Sequence, residues 1–137
     1  MIKPINRDIM VLMRKALPAD RSDLQSARDL LDTLNANRER CVGMAANMIG
    51  VAKAIIAVNT GLAAMVMLNP KIISHSAQSY EAEEGCLSLD GIRKTKRYEK
   101  ITVEYEDMDF HRHTASYSGF AAQIIQHEID HLFGKII

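Results

Sequence analysis

Apolar residues change their spacing twice along this chain of 137 residues. Leu24, Ala27, Leu31 and Leu34 recur at three- and four-residue intervals, so residues 23–39 are predicted to form an amphipathic helix. Ser22 stands where an N-cap is needed, and Asp23 is favourable in the first turn. Upstream, residues 1–21 show no period, with Ile9, Val11 and Leu12 as expected anchors and Pro18 closing the segment. Beyond residue 51 the period shortens. Apolar runs at residues 54–58 and 65–68 flank Asn59-Thr60-Gly61, the composition of a hairpin with a glycine-containing loop. Asn69-Pro70 predicts a break before a further strand over residues 71–74. Ile101, Val103 and Tyr105 alternate with Thr102, Glu104 and Glu106, as in a half-buried strand. Ser118 or Gly119 opens a last helix carrying Phe120, Ile124, Ile125 and Leu132. The expected fold is α+β, with mixed or antiparallel strands packed around a C-terminal helix in a single domain over residues 1–137.

Composition narrows the picture. Hydrophobic residues are 47% of the chain and aromatics 5%, with no Trp, so the core should be aliphatic. Eight Met residues suit gap-filling in such a core better than an adaptable surface. Seventeen basic residues balance seventeen acidic ones, which argues against nucleic-acid binding driven by phosphate contacts. No apolar run reaches membrane-spanning length, and Met1-Ile2-Lys3-Pro4 lacks a signal-peptide core, so a cytoplasmic location is expected. Two cysteines fit free or ligating thiols rather than a disulfide framework.

The chemistry concentrates near the C-terminus, in His127-Glu128-Ile129-Asp130-His131. Residues four apart share a helix face, so both imidazoles can reach one divalent ion, with Glu128 beside it to handle a proton. A solvated helix carrying two histidines is the plain alternative. A site of this kind takes a third protein ligand and keeps an open position for water. Residues 132–137 offer none, so the third must come from upstream: Cys41, Cys86, His75, His111, His113 or a carboxylate. His111 and His113 lie in a polar, turn-like stretch and read better as solvated side chains. Cys86, next to the small Gly85, combines a strong thiolate donor with close backbone approach. A buried inert cysteine is the alternative there.

Three segments in order carry a resemblance: Gly43-Met44-Ala45-Ala46-Asn47-Met48-Ile49-Gly50, Glu84-Gly85-Cys86-Leu87-Ser88, and Gln126-His127-Glu128-Ile129-Asp130-His131-Leu132. Together they resemble the peptide deformylase family, bacterial metallohydrolases that remove the formyl group from the formyl-Met terminus of new proteins. The resemblance implies that Cys86, His127 and His131 hold one divalent ion, natively Fe(II), with zinc, nickel or cobalt as substitutes. It makes Glu128 the general base and then the acid, and gives the Leu87 backbone N–H a share in an oxyanion hole. Val42, Phe120 and Ile124 are expected to line an apolar pocket for the Met side chain, with Gly43, Glu84 and Gly85 as further substrate contacts. Formyl-Met peptides are the implied partners. The basic cluster Arg93, Lys94, Lys96, Arg97 and Lys100 is a candidate for transient ribosome contact, against the simpler reading of a solvated hairpin.

The first segment departs from the family's Gly-x-Gly-Leu-Ala-Ala-x-Gln. Cys41 stands at its first Gly and Met48 at its Gln. That Gln is similar in role to an oxyanion donor, and a thioether has no proton to donate. Asn47 carries an amide, but neighbours in an extended segment point to opposite faces. Three readings follow: a working deformylase with reduced activity, a catalytically impaired paralogue that binds metal and peptide, and an unrelated metallohydrolase. The last leaves Glu84-Gly85-Cys86-Leu87-Ser88 without an explanation.

Overall fold

A computed structural model describes residues 1–61, 63–86 and 88–135, the side chains of Leu89 and Asp90 excepted. Its centre is a five-stranded antiparallel sheet in the order β1-β2-β3-β6-β7. These strands are β1 (Gly43–Ala45), β2 (Ile55–Asn59), β3 (Ala64–His75), β6 (Lys100–Glu106) and β7 (Arg112–Ser118). A separate two-stranded sheet pairs β4 (Ser79–Cys86) with β5 (Leu89–Tyr98). The helices are α1 (Ile9–Leu12), α2 (Leu24–Ala36) and α3 (Gly119–Leu132).

Strand alternation puts the two sheet faces to different uses. Ile56, Val58, Met67, Ile101, Val103 and Tyr105 pack with Ile125, Ile129 and Leu132 of α3. Ile55, Ala57, Val66 and Leu68 pack with Ala27, Leu30 and Leu34 of α2. The sheet is therefore the middle of three layers, and α3 is held along one stripe while its other face remains free for chemistry.

Several expectations change in the structure. The second helix starts at Leu24 because Asp20, not Ser22, caps a preceding 3-10 turn over Arg21–Asp23; its carboxylate accepts from Ser22 N while Asp23 accepts from Asp20 N. The helix ends at Ala36 rather than residue 39, where Asn37 N closes onto Thr33 O and Leu34 O. Ile9 is 48% exposed and anchors nothing, whereas Leu12 is buried. The chain does not break at Asn69-Pro70. Pairing slips between Leu68↔Glu106 and Lys71↔Glu104, so three steps on β3 oppose two on β6. A bulge thus absorbs Pro70, which has no N–H to give a ladder. Asn69 takes φ 51°, a left-handed conformation that asparagine tolerates. Its Oδ1 accepts from Ala19 N at 2.7 Å and its Nδ2 donates to Ala19 O and Glu106 Oε1, each at 3.1 Å. The polar stretch over residues 109–113 turns as expected, closed by Asp109 N and His111 N on Asp107 Oδ1, and β7 starts at its end with Arg112 and His113.

The Asn69 clamp carries a stability prediction. Asn69→Ala should lower the unfolding free energy by about 2 kcal/mol, since it removes several part-buried bonds at a left-handed position. Denaturant unfolding measures this, and a midpoint unchanged from the parent chain would contradict it.

Candidate metal centre

α3 presents Gln126, His127, Glu128 and His131 as buried polar residues on a helix with an otherwise apolar inner stripe. Gln126 sets its register against β5. Its Oε1 accepts from Tyr98 N at 2.8 Å, and its Nε2 donates to Tyr98 O at 2.9 Å. This brings Cys86, at the end of β4, to the two histidines. The ligating atoms of Cys86, His127 and His131 all lie within 4.8 Å of one another, and His127 Nε2 is 3.0 Å from His131 Nε2.

His127 is aimed by Glu84, which Arg97 holds in turn. Its Nδ1–H donates to Glu84 Oε1 at 2.7 Å, which leaves Nε2 turned toward His131. Arg97 grips Glu84 through Nε (2.9 Å) and Nη2 (2.6 Å), and reaches Asp130 Oδ2 through Nη1 at 2.6 Å. Burial works against ionised Glu84, but the bonds from His127 and Arg97 outweigh it and hold its pKa at about 2. Burial likewise opposes charge on His127, yet Glu128, Cys86 and Glu84 push it up to about 10. Burial and that neighbouring charge push His131 down to about 3. In the metal-free protein the imidazole pair therefore carries one positive charge, in a place where a cysteine sulfur and two imidazoles converge. That donor set suits a divalent cation, whose binding releases such protons.

Glu128 completes the geometry. Burial pushes its pKa up to about 7, and its Oε1 is buried with no hydrogen-bond partner among the described residues. The room it occupies exists because residue 43 is a glycine. A Cβ there would lie 2.8 Å from Ile124 Cγ2 and 2.9 Å from Glu128 Oε2.

The centre opens into a cleft of about 550 Å³ whose walls include Val42, Gly43, Glu84, Gly85, Phe120 and Ile124. Phe120 is 61% exposed at its edge, and Ile124 is buried. Glu84 reaches the cleft, but its carboxylate is committed to His127 and Arg97 rather than open to a ligand. Met48 is buried in the wall and Cys41 is half-buried, its thiol donating to Gly43 O at 2.7 Å. Burial and the nearby Glu128 push the Cys41 thiol up to about 12, so it is no thiolate at neutral pH. Asn47 turns away: its Nδ2 donates to His131 O at 3.0 Å and Leu12 O at 3.3 Å. Leu87 lies outside the described residues. His75, His111 and His113 are exposed and are not members of this cluster; His113 instead pairs with Asp107 at 2.6 Å.

Sequence reasoning missed Arg97 and Asp130. Arg97 had been grouped with a solvated basic cluster, but it is 3% exposed. Strand alternation was the available signal, since Lys94 and Lys96 face solvent while Arg97 falls on the opposite parity.

Comparison with known proteins agrees with this geometry. The sequence model for the polypeptide deformylase family matches residues 2–137. The chain belongs to that family. It is 52% identical over 137 residues to a peptide deformylase of Clostridium beijerinckii, covering all of both chains. A peptide deformylase of Chlorobium phaeobacteroides is 37% identical over 147 residues, covering 99% of this chain and 78% of the relative. Among solved structures, a class I type b peptide deformylase from Acinetobacter baumannii superposes with a TM-score of 0.88 at 30% identity, covering 99% of this chain and 96% of that one. The Thermotoga maritima enzyme gives 0.89 at 26% identity, with 99% and 95% covered. The chain thus has the fold of a metal-dependent deformylase over its whole described length.

Glu84 makes this support of His127 measurable through pH. Its folded pKa of about 2 lies below the ordinary 4.5, so its stabilisation is fully present above pH 4.5 and is lost as pH falls from there toward 2. In metal-free protein the loss across that window should be on the order of 3 kcal/mol. Glu84→Gln should be less stable at neutral pH, and its deficit should close as pH falls through the window. Parallel stability profiles for the two proteins would contradict the assignment.

Proposed function

We propose that this chain hydrolyses the N-terminal formyl group of formyl-Met peptides, with Cys86, His127 and His131 holding one divalent ion. The observation that carries the reading is the Glu128 carboxyl buried beside that donor cluster, its Oε1 without a partner among the described residues. The ion would supply Lewis-acid polarisation of the formyl carbonyl and a lowered pKa for water beside it. Glu128 takes one proton from the attacking water on its carboxylate and returns it to the nitrogen as the C–N bond breaks, so formic acid, which then ionises to formate in solvent, and a free amine leave. In the metal-free protein burial raises this carboxyl to about 7, which favours a group that both takes and returns a proton near neutrality. Glu84, backed by Arg97, fixes the His127 tautomer. Val42, Phe120 and Ile124 offer the apolar wall against which a Met side chain packs, while Gly43 and Gly85 let the peptide backbone approach.

Iron(II) as the native ion, a cytoplasmic setting and a passing ribosome contact through the exposed Lys94 and Lys96 belong to the same reading. Among the described residues no helix is long and apolar enough to cross a membrane. Met48 favours a second reading, of slow turnover in a chain that still binds metal and peptide, since Asn47 is committed elsewhere and Met48 offers no N–H.

Glu128→Gln should keep its metal content and lose hydrolysis of a formyl-Met peptide by at least about 10²-fold. Undiminished turnover would remove Glu128 from the mechanism. Met48→Gln should raise kcat toward the roughly 10²-fold worth of one oxyanion donor, with little change in KM. Fast turnover by the parent chain, with no gain from this substitution, would show that another donor fills the hole.

A further inference from the structure

Met48 is 1% exposed, yet its side chain forms part of the cleft wall at the metal centre. It sits in a 3-10 turn over Ala46–Ile49, whose geometry points Asn47 at the helix carbonyls and Met48 at Cys86. The Met48 Sδ accepts from Ala45 N at 3.5 Å, which fixes the thioether and occupies one side of the sulfur. Its other side meets the Cys86 thiol, with 3.9 Å between Sγ and Sδ. The ligating atoms of His127 and His131 lie within 4.8 Å of the same Cys86 sulfur, so that sulfur has Met48 and both imidazoles as neighbours. For comparison, two sulfur ligands each about 2.3 Å from one tetrahedral ion stand roughly 3.8 Å apart.

We propose that, in the resting protein, the Met48 thioether occupies the open position of the ion held by Cys86, His127 and His131 and yields it to water during turnover, so that the resting centre has two sulfur donors and prefers soft, thiophilic cations. The inference rests on the ligand set argued above and adds a residue to it. A thioether is neutral, soft and weakly bound to harder ions, so it adds little for cobalt(II) and most for copper(I). The residue that removes a hydrogen-bond donor from the cleft therefore brings selectivity for the metal.

The test is an anaerobic titration of the metal-free full chain with copper(I) against a chromogenic copper(I) chelator, with cobalt(II) as reference ion. The parent chain should bind copper(I) at least about tenfold more tightly than Met48→Leu or Met48→Gln, while cobalt(II) affinities stay within about threefold. A thiolate-to-cobalt charge-transfer band in all three proteins reports the underlying ligand set. If that band is present and copper(I) affinities are equal, Met48 is not a donor. If the band is missing in the parent chain, the ligand set itself fails, and this inference with it. A readout on the parent chain avoids dependence on the variants. The Met48 methyl carbon resonance, assigned as the one of eight Met signals lost in either substitution, should shift on copper(I) binding. A signal that stays in place overturns the proposal.

Discussion

The buried pairing of Arg97 with Glu84 is the contact on which the centre depends. The β4–β5 hairpin carries Cys86 but shares no strand ladder with the five-stranded sheet. Side chains must therefore dock it onto α3, and the described contacts are largely polar. Arg97 spans Glu84 on its own hairpin and Asp130 on the helix, Glu84 reaches His127, and Gln126 closes on the backbone of Tyr98. Breaking one partner of such a buried pair strands a charge and costs about 3–5 kcal/mol. The same contacts fix where the thiol sits relative to the imidazoles. Docking and ligand geometry are one set of interactions.

The helix meets this demand without losing its hold on the core. Ile125, Ile129 and Leu132 bind it to the sheet, while His127, Glu128 and His131 project toward β1 and the hairpin. Gly43 then sets the closeness of approach on the β1 side. Any larger residue there would push against Ile124 and Glu128 and alter the proton carrier's position. An orphaned carboxyl oxygen, normally a liability in a buried site, is tolerable where a bound water or substrate is its partner.

Much of this was readable in the chain. The helical stripe of α2, the β2–β3 hairpin and the alternation of β6 follow from apolar spacing alone, because each buries one face against the core. The H-E-x-x-H spacing and the Glu84-Gly85-Cys86 segment named the converging donors through local rules and resemblance. What stayed hidden depended on distant partners. Asp20 took the cap from Ser22 through a reciprocal bond with Asp23, and Asn69 turned a break into a bulge by clamping Ala19, fifty residues away. Strand parity set Arg97 apart from Lys94 and Lys96, but what buries it is a pair of distant partners, Glu84 and Asp130, that no local rule names. Met48 was legible as a missing donor but not as a neighbour of Cys86, since that needs the turn of Ala46–Ile49.

The convergence of Cys86 with the two histidines is the central claim, and X-ray absorption at the metal edge of zinc-loaded protein tests it most directly. The account predicts a sulfur scatterer at the thiolate distance of about 2.3 Å together with two imidazole nitrogens at about 2.0–2.1 Å. The thiolate scatterer should vanish in Cys86→Ser. A first shell of oxygen and nitrogen alone in the parent protein would contradict the claim.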